Sequence, residues 1–279
     1  MATLLTTSAL VFALVANTAL CYNFLQGFGQ HVSRRLDKLS CIAPVDGVRL
    51  SFHEDGEPVD YSGKAGDRVE LMCEVYGAPQ ATIYWTFDGR PIENSPVVGS
   101  EQERLLNLDM RVIGSSTTKS VLVIDCLDRS RVGKYGCHAD NNCATPIAAY
   151  AAVTIEAQQE TTSTHVCKPK GIKYPPKITM WTDLRLERPE ASVQLFCRAS
   201  ASPPAEITWY IVADDESQAE MPIVDDKSHV VLKNGDLMVR GKSTDAKDGN
   251  GEGGTIYKCT AKNVLGKTTV DVVLVRSGL

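Results

Sequence analysis

Nine cysteines and five histidines are the side chains of this 279-residue sequence best suited to hold a metal, attack a substrate or cross-link the chain. Spacing decides among the three. No Cys-x-x-Cys occurs, and His31, His53, His138, His165 and His229 are scattered, so no zinc ligand set is present. Gly-x-Ser-x-Gly, His-Glu-x-x-His, the phosphate-cradling glycine loop and the dinucleotide fingerprint are all missing. The run Asp248-x-Asn250-x-Glu252-Gly253 opens like a calcium loop, but its twelfth position is Cys259 rather than a carboxylate. It reads as a polar, glycine-rich loop. The expectation is a non-enzymatic protein with no cofactor and no bound metal. Cross-linking remains for the cysteines, and that needs an oxidising compartment.

The amino terminus points to one. Residues 1–21 carry no charged side chain, an apolar stretch over 9–20, and the small residues Ala19 and Cys21 just before a cut at Tyr22. A cleaved signal peptide and an extracellular protein are expected. After Tyr22 the longest apolar run, Ile147–Ile155, falls well short of the ~18 residues that span a bilayer, so no membrane insertion is expected. The formal net charge is −5, which leaves no basic excess for nucleic acid.

The elements that must position the cysteines repeat. Cys73 is followed twelve residues later by Trp85, and Cys197 twelve later by Trp209. Cys137 and Cys259 close the two units, each with a tyrosine two positions earlier, Tyr135 and Tyr257. Val69, Leu71 and Cys73 alternate with Glu70, Met72 and Glu74, and Val193, Leu195 and Cys197 alternate with Gln194, Phe196 and Arg198. Period two puts each cysteine on the buried face of a half-exposed strand, with Gln194, Phe196 and Arg198 on the other face. Asn234-Gly235 supplies a tight turn before Leu237 and Val239. No run of amphipathic helix periodicity stands out. Cys, Trp and Tyr-x-Cys among short alternating strands define an immunoglobulin sandwich: the cysteines join two sheets, the indole packs on the bridge and the tyrosine pins a corner. The fold expected is all-β, two tandem intermediate-set immunoglobulin-like sandwiches. The bridges are Cys73–Cys137 and Cys197–Cys259, with Trp85, Trp209, Tyr135 and Tyr257 in the cores. The domains read as a 1–21 signal peptide, a 22–47 leader, a first domain 48–157, a linker 158–172 and a second domain 173–277.

Cys41, Cys126, Cys143 and Cys167 remain, and four cysteines allow three pairings. Sandwich loops cluster at two opposite ends. Cys41 and Cys143 fall at one end of the first domain, Cys126 and Cys167 at the other, which favours Cys41–Cys143 and Cys126–Cys167. The second of these closes most of the linker into a loop and is expected to restrict the relative orientation of the domains. Lys168, Lys170, Lys173 and Lys177 make the linker's end an exposed, charged hinge and a candidate contact for sulfated polysaccharide. Asp214, Asp215, Glu216, Glu220, Asp225 and Asp226 read as solvated acidic surface. Asn141-Asn142-Cys143 matches only the rare N-x-C form of a glycosylation site.

In the second domain, Lys177-Ile178, Ala205-Glu206-Ile207-Thr208-Trp209, Val231-Leu232-x-Asn234-Gly235-Asp236-Leu237 and Tyr257-Lys258-Cys259-x-Ala261-x-Asn263-Val264-x-Gly266-Lys267 stand in order. Together they resemble the small secreted two-immunoglobulin proteins of invertebrates, the nematode zwei-Ig-domain group and the related insect ecdysone-inducible protein that binds insulin-like peptides. The resemblance implies an extracellular factor that maintains axon and neuronal position by binding surface receptors or adhesion molecules, or a soluble binder of insulin-like peptides that antagonises insulin signalling. N-terminal sequencing of protein from conditioned medium is expected to begin at Tyr22; an intact Met1 on membrane-bound protein is the contrary result.

Overall fold

The computed structural model describes residues 41, 43–92, 101–156, 167, 173–213, 217–241 and 253–278. The signal segment 1–21, most of the 22–47 leader, nearly all of the 158–172 linker with Lys168 and Lys170, the acidic residues 214–216 and the 248–252 run lie outside them. Residues 42–279 form one compact unit.

Alternation becomes strand where the sequence shows it. In the first sandwich the strands are β1 (Arg49–Phe52), β2 (Tyr61–Gly63), β3 (Val69–Ala78), β4 (Thr82–Phe87), β5 (Arg90–Pro91), β6 (Ser115–Ile124), β7 (Gly133–Asp140) and β8 (Ile147–Ile155). A six-residue helix, α1 (Glu101–Leu106), precedes β6. Sequence periodicity did not anticipate it, because α1 buries Glu103 and leaves Leu105 53% exposed, the reverse of an amphipathic pattern. The second sandwich follows with β9 (Tyr174–Glu187), β10 (Val193–Leu195), β11 (Cys197–Ser202), β12 (Glu206–Val212), β13 (Glu220–Pro222), β14 (His229–Val231), β15 (Leu237–Val239), β16 (Gly253–Asn263) and β17 (Gly266–Arg276).

The cysteines and rings sit at the sandwich centres. Cys73 is bonded to Cys137 across 64 residues, and Cys197 to Cys259 across 62. Closing loops of that length contributes roughly 4 kcal/mol each on the chain-entropy account. Trp85 and Trp209 lie in the two cores, 4% and 0% exposed. Their indole N–H groups donate to Ser120 Oγ and to the Gly235 carbonyl, both at 2.9 Å. Gly235 has φ +94°, and a Cβ there would stand 2.8 Å from the Cys197 carbonyl, so the turn that receives Trp209 needs glycine. Tyr135 donates its hydroxyl to the Arg131 carbonyl at 2.8 Å, the corner its spacing implied. Cys126 is bonded to Cys167, and Cys41 and Cys143 are each in disulfide linkage.

Sheet order is where the structure departs from two separate domains. Strands β2-β8-β7-β4-β5 form one sheet and β10-β15-β14 another, but β1-β3-β6-β9-β17-β16-β12-β13 run as a single sheet through both sandwiches, with β11 also paired to β9. In an immunoglobulin sandwich a D strand normally covers the free edge of E. Among the described residues between β5 and β6 there is α1 and no strand, and β9 takes that edge instead, antiparallel from Ser115↔Leu186 to Ser120↔Met180. The same strand pairs β11 through Tyr174–Trp181 and then turns to pair β17 in parallel, Leu184 to Glu187.

One expectation is thereby corrected. Gln194 and Phe196 do not face solvent: they are 4% and 0% exposed, and Phe196 joins Met180 in the core of the first sandwich. Their face of the strand is covered by the neighbouring domain. The linker bridge also loses the role assigned to it, because a six-residue ladder and a shared core already fix the two sandwiches together. Small-angle scattering of a Cys126→Ser, Cys167→Ser variant is expected to match that of the parent protein; a broader distribution of arrangements would return the orientation to the bridge.

Candidate binding surface and the junction beneath it

Fusing the sheets aligns one outward row across eight strands. Register places Ser51, Tyr76, Thr117, Leu184, Val273, Ile256, Val212 and Glu220 opposite one another in turn. Paired residues share a face of a sheet, so all eight point the same way. The opposite face of these strands holds Val75, Thr118, Arg185, Leu274 and Tyr257, all buried. Leu184 is 42% and Ile256 38% exposed; Val273 between them and Tyr76 and Val212 beyond them are half-buried, and Thr117, between Tyr76 and Leu184, is buried. Leu186 and Val275, also paired, lie in the adjoining row. Charges border this apolar stripe on one side. Lys119 contacts Glu74 at 3.6 Å and Asp183 at 3.0 Å, and Lys258 contacts Glu220 at 2.6 Å and Asp271 at 3.9 Å. The apolar run Leu184, Val273, Ile256 and Val212, partly open to water on four adjoining strands, is the part of the row suited to docking.

Beneath the stripe, on the buried side, a polar cluster ties α1 to β9 and β10. Arg185, 1% exposed, donates from Nη2 to Glu103 Oε1 at 2.5 Å and to Glu187 Oε2 at 3.0 Å, and from Nη1 to Gln80 Oε1 at 3.2 Å. Glu103 Oε2 accepts the Gln194 amide, while Glu187 accepts the amides of Ile113 and Gly114. Asn107 exchanges two hydrogen bonds with the Ser192 backbone. Burial pushes the Glu103 carboxyl above its ordinary range despite Arg185 beside it. Burial works against the Arg185 charge as well, yet Glu103 and Glu187 outweigh it and hold that pKa up. Burial lowers the pKa of neighbouring Arg276, whose Nη1 donates to the Arg188 and Ala191 carbonyls. The period-two pattern carried no sign of this cluster. Continued from Ile178, Met180 and Thr182 it turns Leu184 and Leu186 inward, but the ladder with β6 skips Asp183, and that irregularity reverses the facing and puts Arg185 and Glu187 inside.

Of the four lysines singled out for polyanion binding, two are described, and one of these is paired. Lys177 Nζ donates to both Glu70 oxygens at 3.0 and 2.9 Å, and this lysine is the chief cause of Glu70's lowered pKa. Lys173 is exposed, and Lys168 and Lys170 fall outside the described residues. Asn141 of the N-x-C site is 6% exposed, and its amide nitrogen donates to the Arg49 and Pro79 carbonyls. A glycan has no access to it. No cluster of metal-ligating side chains occurs among the described residues.

Two disulfide-pinned sandwiches, each with a tryptophan at its centre, define a tandem immunoglobulin protein. The immunoglobulin domain family matches the chain over residues 55–141. Zwei Ig domain protein zig-4 of Caenorhabditis elegans is 30% identical over 209 residues, 75% of this chain and 73% of that one. Neural/ectodermal development factor IMP-L2 of Drosophila melanogaster is 29% identical over 208 residues, 74% of this chain and 69% of that one. Its crystal structure superposes with a TM-score of 0.59 over 82% of this chain and 95% of that chain, at 24% identity, a likeness of fold. Mouse neural cell adhesion molecule 1 is 28% identical over 216 residues, 77% of this chain and 16% of its own length. The chain belongs to the zwei Ig domain family.

Replacing Arg185 by Met leaves Glu103 and Glu187 buried without their cation. Urea unfolding followed by tryptophan fluorescence is expected to show a loss of roughly 3–5 kcal/mol. A loss below about 1 kcal/mol would mean that the junction holds without its guanidinium.

Proposed function

We propose that this chain is a secreted, non-enzymatic binding protein that presents the outer row of the fused sheet as one docking face to an extracellular protein. The observation that carries the reading is the apolar stripe through Leu184, Val273 and Ile256 of the second sandwich, extended on the first by Tyr76 and bordered by ion pairs. Among the described residues no helix is long and apolar enough to cross a membrane. Kinship with the zwei Ig domain proteins and similarity to a neural cell adhesion molecule support a neuronal setting, in which the partners are surface receptors or adhesion molecules and the outcome is maintained axon and cell-body position.

A second reading is that the face takes an insulin-like peptide and so dampens insulin signalling. A stripe only two rows wide suits a ligand that presents a single apolar edge, as small peptide ligands do. One experiment separates the two. The secreted protein is used to capture partners from a panel of neuronal surface ectodomains and a panel of insulin-like peptides. Leu184→Asp and Ile256→Asp, whose wild-type side chains face solvent, are expected to melt as the parent does and to lose about tenfold or more in affinity for whatever is captured. Binding unchanged by both substitutions would move the docking face elsewhere.

A further inference from the structure

Strand β8 is apolar on both of its faces. Its inward residues, Ala149, Ala151 and Val153, are core. Its outward ones are Ala148, Tyr150, Ala152 and Thr154, and all four are exposed, Tyr150 at 48%. A strand with one solvated face ordinarily alternates apolar and polar residues, and β8, antiparallel to β7 and parallel to β2, sets two alanines and a tyrosine among its four outward positions. The neighbouring strands continue the same surface. Outward from β4 and β7 stand Tyr84, paired with His138, and Thr86, paired with Gly136; Gly136 pairs in turn with Tyr150 and His138 with Ala148. The Tyr84 and His138 rings stack with centroids 4.8 Å apart and planes at 10°, and Tyr150 meets His138 edge-on at 5.8 Å. The rings lie low because position 136 has no side chain. A Cβ there would stand 2.6 Å from Thr86 Oγ1, 2.8 Å from Tyr150 and 2.9 Å from His138. The result is a shallow aromatic and alanine surface on the five-stranded sheet, a different sheet from the one that carries the Leu184 stripe.

Among the described residues of β7, charge on this surface is confined to the two ends of the outward row. Lys134 and Asp140 occupy the two ends of the outward row of β7, three residues either side of Cys137. Lys134 Nζ lies 4.0 Å from the centroid of Tyr150. We propose that this face pairs with a second copy of the same chain. A two-fold axis lying in the contact plane, crossing β7 at the level of Cys137, sets Lys134 of each copy opposite Asp140 of the other. By register the same axis lays each Tyr150 over the small Ala148 of its mate, a protrusion against a recess. Self-complementarity of this kind is what a closed, isologous dimer requires. Alanine and glycine let two sheets approach to the ordinary spacing of about 10 Å.

Sedimentation velocity of the full secreted chain over a micromolar to millimolar series is the test. A monomer–dimer equilibrium is expected. Lys134→Asp alone and Asp140→Lys alone should each weaken it by about tenfold or more. The double variant, which exchanges the charges across the axis, should return to near the parent's constant. Tyr150→Ser should remain monomeric while keeping the parent's melting curve, and Leu184→Asp on the other sheet should dimerise normally. A chain monomeric throughout overturns the proposal, as do single reversals without effect or a double variant that does not recover. A dimer broken by Leu184→Asp would place self-association on the fused sheet and overturn it too. If the parent is monomeric and Tyr150→Ser instead loses a captured ectodomain, the face serves a different protein and the second copy is excluded.

Discussion

A strand edge carries backbone donors and acceptors that must be satisfied, and the edge of β6 is satisfied by β9. Most of what distinguishes this molecule from two beads on a string follows from that ladder. With β9 in the place of a D strand, the outer face of β10 and the start of β11 becomes the floor of the neighbouring sandwich, and Phe196 and Met180 complete its core. Because β9 also pairs β11 and β17, the strand is shared by three partners. Moving one domain would break hydrogen bonds in the other. Along the ladder itself, β6 and β9 leave each other no free edge on which to slide.

The buried guanidinium answers a different need. Hydrogen bonds along an edge do not choose a register, since a shift of two residues preserves both the bonds and the facing of the side chains. Arg185 between Glu103 and Glu187 does choose, because no other register gives each carboxylate its cation and each backbone amide of 113, 114 and 194 its acceptor. Desolvating three charges is costly, and apolar side chains would hold the layers together as well or better. What the charges contribute is that a slipped arrangement would strand them. Arg185 Nε, buried without a partner, shows that even the native register does not satisfy every group.

The features written twice in the sequence were legible from it: the Cys–Trp spacing, the Tyr-x-Cys corner and the alternation around each cysteine. Each is local, a matter of period two or of fixed separation along one chain. The junction is not local. Nothing in the alternation of Val193, Gln194, Leu195 and Phe196 says that the second face meets another domain rather than water, since glutamine and arginine suit a solvated face equally well. Likewise α1 turns Glu103 inward and Leu105 outward, so its apolar pattern argues against the helix that its backbone forms. Arg185 and Glu187 were hidden for a third reason. Strict alternation from Ile178, Met180 and Thr182 turns them outward, and only the bulge at Asp183 brings both charges inside.

Rigidity bears directly on what the outer stripe can do. Were the domains to tumble independently, a ligand spanning Tyr76 and Ile256 would have to order them as it bound, and that entropy would come out of its affinity. The ladder and the Arg185 cluster meet that cost during folding. Under the proposed function, a stripe of modest exposure, with Leu184 and Ile256 only partly open to solvent, would then suffice for recognition. The same reasoning explains why the charges of Lys119 and Lys258 sit beside the stripe instead of within it. Already paired with Asp183 at the border and with Glu220 at the row's end, they would exclude partners of the wrong charge pattern without burying an unpaired charge when the proposed partner docks. Specificity would then reside in the border and affinity in the apolar row, with the junction holding both halves of the row in one plane of contact.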